Sequence, residues 1–392
     1  MSKNANGEGS VYKRTRDGKV IGYAGALSYP DETGRTKRHT VYGRTRAEVR
    51  DKLKGARDRL DAGAPVKDAS RTVGEWMRQW RETTLAVSDR KESTRDLYAN
   101  LSRRHLETGA ISTTRLDRLK PSDVEALVLA KRAETKVRDG ETVRALSDST
   151  IRQLYTVLRA GLDGAVRDGL LAANPCAKVK RPGVARQEAR HLPSGDVQKV
   201  LKAAKASRYF PALVLIASTG LRKGEALGLS WERVDLEAGS LVVRATLGRI
   251  GNRLVISEPK TERSRRTVPL SPAVVALLRK HKVSQSEERL RAGDQWLDSG
   301  LVFTTEFGGP VDPRNLLRVL EVAASQAGVE KVGVHTLRHS AATAWLEAGV
   351  HIKAVADLLG HSSVAITGDI YGHASDDTAR SAVAGLSEAL GL

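Results

Sequence analysis

Cysteine is nearly absent from the sequence, since Cys176 is the only one in 392 residues. A disulfide bond within the chain and a zinc site built from cysteines are therefore excluded. The surrounding Ala173-Asn174-Pro175 shows no sign of a nucleophile's setting, so we interpret Cys176 as a small structural residue. Aromatic residues are also scarce, at 4%, but hydrophobic residues make up 40%, which is enough for ordinary cores.

Long apolar runs are missing as well. No segment approaches the about 20 apolar residues that are needed to span a bilayer. The N-terminus, Met-Ser-Lys-Asn, is polar and does not resemble a signal peptide. An acidic cluster that would hold paired metal ions is also lacking. We therefore expect a soluble, cytoplasmic protein that uses no membrane and no metal ion.

Positive charge is abundant: 65 lysines and arginines against 46 acidic residues give a formal net charge of +19. Such a charge favours a polyanionic partner, because basic side chains release counterions from a phosphate backbone. The alternative is a generally basic composition that serves solubility. The basic residues occur along the whole chain, which favours an extended DNA-binding surface over a single charged tail.

Turn residues and changes in periodicity divide the chain into three segments. The pattern predicts a multidomain, mainly α protein with small antiparallel β-sheets. Residues 1–64 predict a three-stranded sheet followed by one helix. The predicted elements are strands Val11–Arg14, Ile21–Tyr29 and Arg38–Tyr42, and a helix from Thr45 towards Asp61. The sheet displays a set of basic residues that could enter a DNA groove, namely Lys13, Arg14, Arg16, Lys37 and Arg38. A merely solvated sheet face explains the same charges.

Residues 70–182 predict a helical module. Its four amphipathic helices are Val73–Leu85, Ser93–Thr108, Ser122–Glu134 and Ser147–Asp168, with Ser93, Ser122 and Ser147 as expected N-caps. A basic stretch from Lys178 to Arg186 is broken by Pro182 and Gly183 and is interpreted as a linker. Its residues Lys178, Lys180 and Arg181 are expected to follow a phosphate backbone.

Residues 190–392 predict a mostly helical segment with one small sheet. The expected strands are Leu241–Leu247, Leu254–Glu258 and Thr267–Leu270. The expected helices are Gly195–Lys205, Pro211–Ser218, Ala273–Lys282, Pro313–Ala327, Thr336–Ala348 and Ile352–Leu359, with a further apolar candidate at Ala382–Leu392.

Five short motifs follow one another in this third segment. They are Thr219-Gly220-Leu221-Arg222-Lys223-Gly224-Glu225, Glu258-Pro259-Lys260-Thr261, His335-Thr336-Leu337-Arg338-His339, Leu359-Gly360-His361 and Asp369-Ile370-Tyr371-Gly372. Each motif alone has an ordinary explanation, such as a surface ion pair or a packed tyrosine. His335 and His339 have the spacing of a zinc helix, but no Glu follows His335 and no third ligand is evident. Gly220–Gly224 lacks the order of a phosphate-binding P-loop, so ATP use is not supported.

Taken together and in this order, the motifs resemble those of the tyrosine recombinase family, also called phage-type integrases. That family combines an arginine box, a β-hairpin lysine, H-x-x-R, G-H and a tyrosine. The resemblance covers the third segment and implies an α+β tyrosine recombinase catalytic domain over residues 190–392. The first segment resembles the family's arm-type DNA-binding domain, and the second its helical, SAM-like core-binding domain.

The resemblance implies a reaction without cofactor. Tyr371 would attack a DNA phosphodiester, form a 3′-phosphotyrosine and leave a free 5′-hydroxyl, so that rejoining needs no ATP. Arg222 and Arg338 would hold the phosphate oxygens with their planar cationic groups, and His361 would donate a hydrogen bond to one of them. The resemblance makes His335 the proton acceptor and Lys260 the general acid, with Lys223 as the competing lysine. Glu225 would orient its catalytic neighbours.

The resemblance also implies partners and a setting. We expect a site-specific integrase that acts as a homotetramer on double-stranded attachment sites, associated with the nucleoid of a bacterial host. A host DNA-bending protein and an excisionase are the expected accessory partners. The alternatives are a type IB topoisomerase, which shares the chemistry, and a DNA-binding protein without catalysis. The tail after Tyr371 would dock on a neighbouring subunit or pack on its own domain.

Overall fold

The computed structural model describes residues 10–16, 19–30, 36–61, 71–138, 140–185, 190–258, 265–361, 363–371 and Ala384. The chain forms two compact units, Met1–Ala185 and Arg186–Leu392. The N-terminal unit contains two separate hydrophobic cores, one under the sheet and one among the helices. A domain boundary between residues 64 and 70 stays a prediction.

A three-stranded antiparallel sheet opens the N-terminal unit, as predicted. Its strands are β1 Ser10–Arg16, β2 Lys19–Pro30 and β3 Thr36–Gly43, in the order β1-β2-β3, and helix α1 follows at Arg46–Asp61. The core between sheet and helix contains Leu27, Val49, Leu53 and Ala56. Gly25 lets the helix approach closely, since a Cβ atom there would lie 2.6 Å from Leu53 Cδ1.

The predicted four helices of the second segment are present. They are α2 Val73–Trp80, which continues as a π-helical stretch at Arg81–Leu85, α3 Glu92–His105, α5 Pro121–Ala133 and α6 Asp148–Arg167. Two elements were not predicted: the short helix α4 Ala110–Thr113 and a hairpin of β4 Thr135–Arg138 and β5 Glu141–Arg144. The core is formed by large apolar side chains such as Trp76, Met77, Trp80, Leu158 and Leu162.

Two of the three predicted N-caps in this segment were wrong. Ser147 does cap α6, where its hydroxyl accepts from the Thr150 N–H. However, Lys91 and Lys120 precede α3 and α5, so Ser93 and Ser122 lie inside the helices. Pro121 begins α5 because a first-turn residue needs no N–H partner.

The division between the two units follows Ala185, within the stretch interpreted as a linker, but the first part of that stretch packs onto the helical core. Tyr155 Oη donates to the carbonyls of Cys176 and Val179 at 2.7 and 3.1 Å. Cys176, Val179 and Pro182 are buried, and burial raises the pKa of the Cys176 thiol to about 12, as expected for a structural residue.

The C-terminal unit is mainly helical with two small sheets. Its helices are α7 Ser194–Ala203, α8 Phe210–Thr219, α9 Lys223–Leu227, α10 Pro272–Ala292, α11 Pro313–Gln326, α12 Val334–Glu347, α13 Ile352–Leu359 and α14 Val364–Tyr371. Its strands are β6 Val234–Asp235, β7 Ser240–Val243, β8 Thr246–Ile250, β9 Arg253–Ser257 and β10 Arg266–Pro269. Strands β10, β7 and β6 form one antiparallel sheet, and β8 and β9 form a separate hairpin.

The single strand predicted at Leu241–Leu247 was therefore wrong, as was the single sheet. The chain leaves the first sheet at Arg244 and Ala245 and enters the hairpin at Thr246. Apolar residues at 241, 243 and 247 keep the period of one strand, so the pattern does not show the change of partner. Helix α10 also continues ten residues beyond the predicted Lys282, to Ala292.

No helix in the described parts of the chain is long and apolar enough to cross a membrane. The candidate helix at Ala382–Leu392 lies outside the described residues, apart from Ala384.

Candidate active site

The last turn of helix α13 is the structural centre of the site. Gly360 ends this helix with a φ of 63°, a left-handed conformation that glycine adopts without strain. The carbonyl oxygens of Leu358, Leu359 and Gly360 accept hydrogen bonds from three different arginines, Arg266, Arg338 and Arg222. The C-terminal end of a helix carries partial negative charge, so it stabilises cations placed there.

Arg338 is the most deeply buried of these arginines, with only 3% of its surface exposed. It lies on α12, where its Nη1 donates to the Gly220 carbonyl at 2.6 Å and its Nη2 to the Leu359 carbonyl at 2.8 Å. Arg338 thus joins the end of α8 to the end of α13. Position 220 is also crowded, because a Cβ atom there would lie 2.7 Å from Leu359 Cδ2.

Arg222 immediately precedes helix α9. Its Nη1 donates to Glu225 Oε1 at 2.7 Å, and its Nη2 donates to the Gly360 carbonyl at 3.3 Å. The Glu225 carboxylate also accepts the Arg222 backbone N–H at 3.0 Å. The side chain and backbone of Arg222 are therefore held by the same carboxylate.

Arg266, at the start of β10, shares that carboxylate. Its Nη2 and Nη1 donate to the two Glu225 oxygens at 2.9 and 3.3 Å, and its Nε donates to the Leu358 carbonyl at 2.6 Å. Both side chains are buried, at 7% and 5% exposure. Burial raises the pKa of Glu225, but the hydrogen bonds and charge of Arg266, with the charge of Arg222, outweigh it. The pKa therefore lies below its usual value.

The predicted histidines face this positive cluster. Burial and the charge of Arg338 and Arg222 lower the pKa of His361 to about 4. Burial and the same two charges also lower the pKa of His335, the second residue of α12. His339 lies near His335, with ring centroids 5.9 Å apart, and burial and the charge of His335 lower its pKa to about 4. All three imidazoles are consequently neutral at pH 7.

The zinc alternative for His335 and His339 gains no support. Within the described residues, no group of three or more histidine, cysteine or carboxylate side chains is arranged to hold a metal ion.

Helix α14, which ends at Tyr371, contacts the histidine of the G-H motif. The helix runs from Val364 through Gly368 to Tyr371 and packs against α13. Thr367 is completely buried on this helix, and its Oγ1 lies 2.8 Å from His361 Nδ1. The Thr367 hydroxyl thus connects α14 to His361. This contact uses Nδ1 of the imidazole and does not involve Nε2.

Lys260 lies outside the described residues. The ends of its segment are described: Arg265 Nη2 donates to Glu258 Oε2 at 2.8 Å. The competing lysine, Lys223, is the first residue of α9, and its charge contributes to the lowered pKa of His335.

Sequence reasoning missed Arg266 and Thr367. Strand alternation was the available signal for Arg266, since it shares a face of β10 with the buried Val268. The signal available for Thr367 was its position one helical turn before Tyr371, which places its hydroxyl on the same face of the helix as the tyrosine.

The predicted DNA-binding residues belong to the N-terminal unit. Arg14 and Arg38 lie on the sheet face opposite α1, and the Arg14 guanidinium lies 4.8 Å from the centre of the Tyr42 ring. Lys13 pairs with Tyr23, which packs on the α1 side, and Arg16 is exposed at the end of β1. The side chain of Lys37 is not described. Lys178, Lys180 and Arg181 are exposed on the packed stretch that follows the helical core.

Comparison with known proteins identifies the family. The model of the phage integrase family matches residues 190–378. A tyrosine recombinase XerC-like protein of Caldanaerobacter subterraneus is 32% identical over 361 residues, covering 88% of this chain and 90% of its own. An integrase of Saccharopolyspora erythraea is 27% identical and covers 93% of this chain and 92% of its own.

Solved structures show the same fold. The Tn1549 transposon integrase, in complex with transposon right end DNA, matches with a TM-score of 0.63 at 21% identity, over 81% of this chain and 99% of that one. A lambda integrase tetramer bound to a Holliday junction matches with a TM-score of 0.54 at 18% identity, over 95% of this chain and 99% of that one. This chain belongs to the phage integrase family and is a tyrosine recombinase, an enzyme that cleaves and rejoins DNA strands at specific sites.

Proposed function

We propose that Tyr371 is the nucleophile of this recombinase and forms a 3′-phosphotyrosine with the scissile strand. The observation that carries this proposal is the convergence of Arg222, Arg338 and His361 on the end of α13, against which the helix of Tyr371 packs. A phosphodiester gains negative charge as it becomes five-coordinate. Cations that are already fixed in place stabilise that charge without further reorganisation.

The two arginines bind the non-bridging phosphate oxygens in this scheme. Each uses part of its guanidinium to contact backbone carbonyls, which fixes the plane of the group. Arg222 is the more accessible of the two, with 37% of its side chain exposed. A guanidinium keeps its charge at any pH at which the protein folds, so both groups bind phosphate throughout the working range.

In this scheme His335 and Lys260 transfer the protons. A phenol has a pKa of about 10 and must lose its proton on attack. The lowered pKa of His335 leaves its ring neutral and able to accept that proton at neutral pH. Lys260 protonates the departing 5′-oxygen. His361, which contacts Thr367 through Nδ1, donates from Nε2 to the phosphate. Glu225 and Thr367 touch these groups and not the phosphate.

The biological function that fits this chemistry is integration of a phage or other mobile element into a bacterial chromosome. The enzyme would act on double-stranded attachment sites as a homotetramer, with a host DNA-bending protein and an excisionase as accessory partners. The sheet of residues 10–43 supports this reading, since its open face presents Tyr12, Arg14, Arg38 and Tyr42. Such a face would bind arm-type sites, while residues 70–182 bind the core site and residues 190–392 cleave it.

Covalent trapping in EDTA tests the proposal. Wild type and Tyr371→Phe are expressed in the host, denatured, and the DNA attached to each protein is sequenced. We expect DNA on wild type alone, joined at a few defined positions that give the core site. DNA joined at scattered positions would support the topoisomerase alternative. Absence of attached DNA from wild type, with duplex binding retained, would contradict the assignment of Tyr371.

A further inference from the structure

Arg266 has no place in the chemistry just proposed, yet it touches two parts of the site. Its guanidinium binds both oxygens of Glu225 and the carbonyl of Leu358, and only 7% of the side chain is exposed. All three of its guanidinium nitrogens donate to protein oxygens, those of Glu225 and Leu358. Its effect on the reaction must pass through its contacts.

Both contacts lead to Arg222. Glu225 binds the guanidinium and the backbone N–H of Arg222, and Leu358 is two residues before Gly360, whose carbonyl also binds Arg222. Loss of Arg266 would leave the buried Glu225 carboxylate with Arg222 as its main counter-charge. Arg222 would then be drawn towards Glu225 and away from the phosphate, because an unpaired buried charge is costly.

Position 360 shows how closely Arg266 is packed. A Cβ atom on Gly360 would lie 2.8 Å from Arg266 Nη1 and 3.2 Å from its Cδ. The guanidinium therefore occupies the space beside the G-H motif as well as balancing the Glu225 charge.

We propose that Arg266 is a positioning residue for strand cleavage, which holds Glu225 and the last turn of α13 so that Arg222 stays at the scissile phosphate. This rests on the proposed function of Arg222. Strand β10, which follows the segment of Lys260, thereby connects the arginine box with the G-H motif.

The test uses the full-length protein and the core site identified by covalent trapping. The probe is a duplex nicked just 3′ to the scissile phosphate, so that the short 5′-hydroxyl fragment dissociates and the covalent product accumulates. The rate at saturating protein and the protein concentration at half-saturation are measured for wild type, Tyr371→Phe, Arg266→Ala and Arg266→Lys.

Arg208→Ala is the matched control. Arg208 lies in the same unit and donates to two carboxylates and one carbonyl, those of Glu288, Glu306 and Thr304, but it does not contact the site. Thermal unfolding of each variant separates a loss of positioning from a loss of folding.

We expect Arg266→Ala to lower the saturated cleavage rate by about 30-fold or more, while the half-saturation concentration changes less than about twofold. In an Arg222→Ala background the same substitution should cost less than about threefold, since it acts through Arg222. Arg266→Lys should lose less, because an ammonium group can bind Glu225 but not Leu358 as well. Arg266→Lys also provides the measurement if the alanine variant does not fold.

Two results would overturn the inference. One is an Arg266→Ala or Arg266→Lys enzyme that cleaves as fast as Arg208→Ala. The other is a full, multiplicative loss in the Arg222→Ala background, which would show that Arg266 acts elsewhere. Failure of the proposed function looks different, because wild type and Tyr371→Phe would then both lack covalent product.

Discussion

The arginines of the C-terminal site and those of the N-terminal sheet are held in different ways. Arg338, Arg266 and Arg222 bind the carbonyls at the end of α13, and the first two are almost fully buried. Arg14 and Arg38 are exposed on β1 and β3, and Arg14 lies against the Tyr42 ring. A buried arginine is fixed in place before substrate arrives. An exposed one can adjust to the surface it binds, at a cost in side-chain entropy.

This difference suits the two tasks proposed for the units. Stabilising charge that develops on one phosphate needs cations at fixed positions. Binding a duplex through its backbone needs many cations, none of which must be exactly placed.

Arg338→Ala should have the largest effect. It removes a phosphate ligand and leaves the Gly220 and Leu359 carbonyls without this donor. We expect cleavage to fall about 10²- to 10³-fold and the free energy of unfolding to fall by about 1.5–3 kcal/mol. Single-turnover cleavage and denaturant unfolding measure the two losses. Arg338→Lys should not restore the rate, since one ammonium group cannot copy the guanidinium fork. A lysine enzyme with normal activity would contradict the role of fixed geometry.

Arg14→Ala and Arg38→Ala should have a smaller effect of another kind. Each removes one cation from an exposed sheet face, so binding to arm-site DNA should weaken several-fold. The slope of the logarithm of the binding constant against the logarithm of the salt concentration should also become smaller by about one. Cleavage of a core-site duplex and the melting temperature should not change. Binding measured at several salt concentrations tests this. A change in core-site cleavage would show that the sheet does more than bind distant DNA.

The smallest expected effect is on the pH dependence of the free energy of unfolding, and it comes from the histidines of the site. His339 and His361 have pKa values of about 4 in the folded protein, against about 6.5 when unfolded. The unfolded chain therefore binds more protons between these values, so stability is full above pH 6.5 and falls as the pH drops towards 4. Denaturant unfolding across this range should show the slope, and His339→Gln should reduce it by up to about one proton. An unchanged slope in that variant would contradict the lowered pKa of His339.

The sequence predicted those elements whose ends carry strong local signals. Helix α11 begins after Asp312, with Pro313 in its first turn, and α13 ends at Gly360, so their bounds were close to the prediction. The strand at 241–247 was misjudged because side-chain period does not show which strand is the partner. That depends on where the backbone packs, as at Gly228, where a Cβ atom would lie 2.8 Å from the Leu247 nitrogen.

The candidate site shows the same limit. Arg222, Arg338 and His361 could be selected because short motifs surround them, and the structure brings them together. Arg266 stands in a run of arginines, with Arg263 and Arg265, that the sequence does not distinguish from one another. Its partners, Glu225 and Leu358, are 41 and 92 residues away along the chain, so no local pattern predicts the contacts.

The end of α13 also sets the directions from which the charges approach. Successive carbonyls of an α-helix are rotated by about 100° around the axis and displaced by about 1.5 Å along it. Arg266 and Arg338 bind successive carbonyls, those of Leu358 and Leu359, so they come from different sides. Arg222 binds the next carbonyl, beyond the helix, where Gly360 turns the chain. Because the carbonyls at the end of α13 point in different directions, three arginines bind there from different sides, and their like charges do not have to approach one another directly.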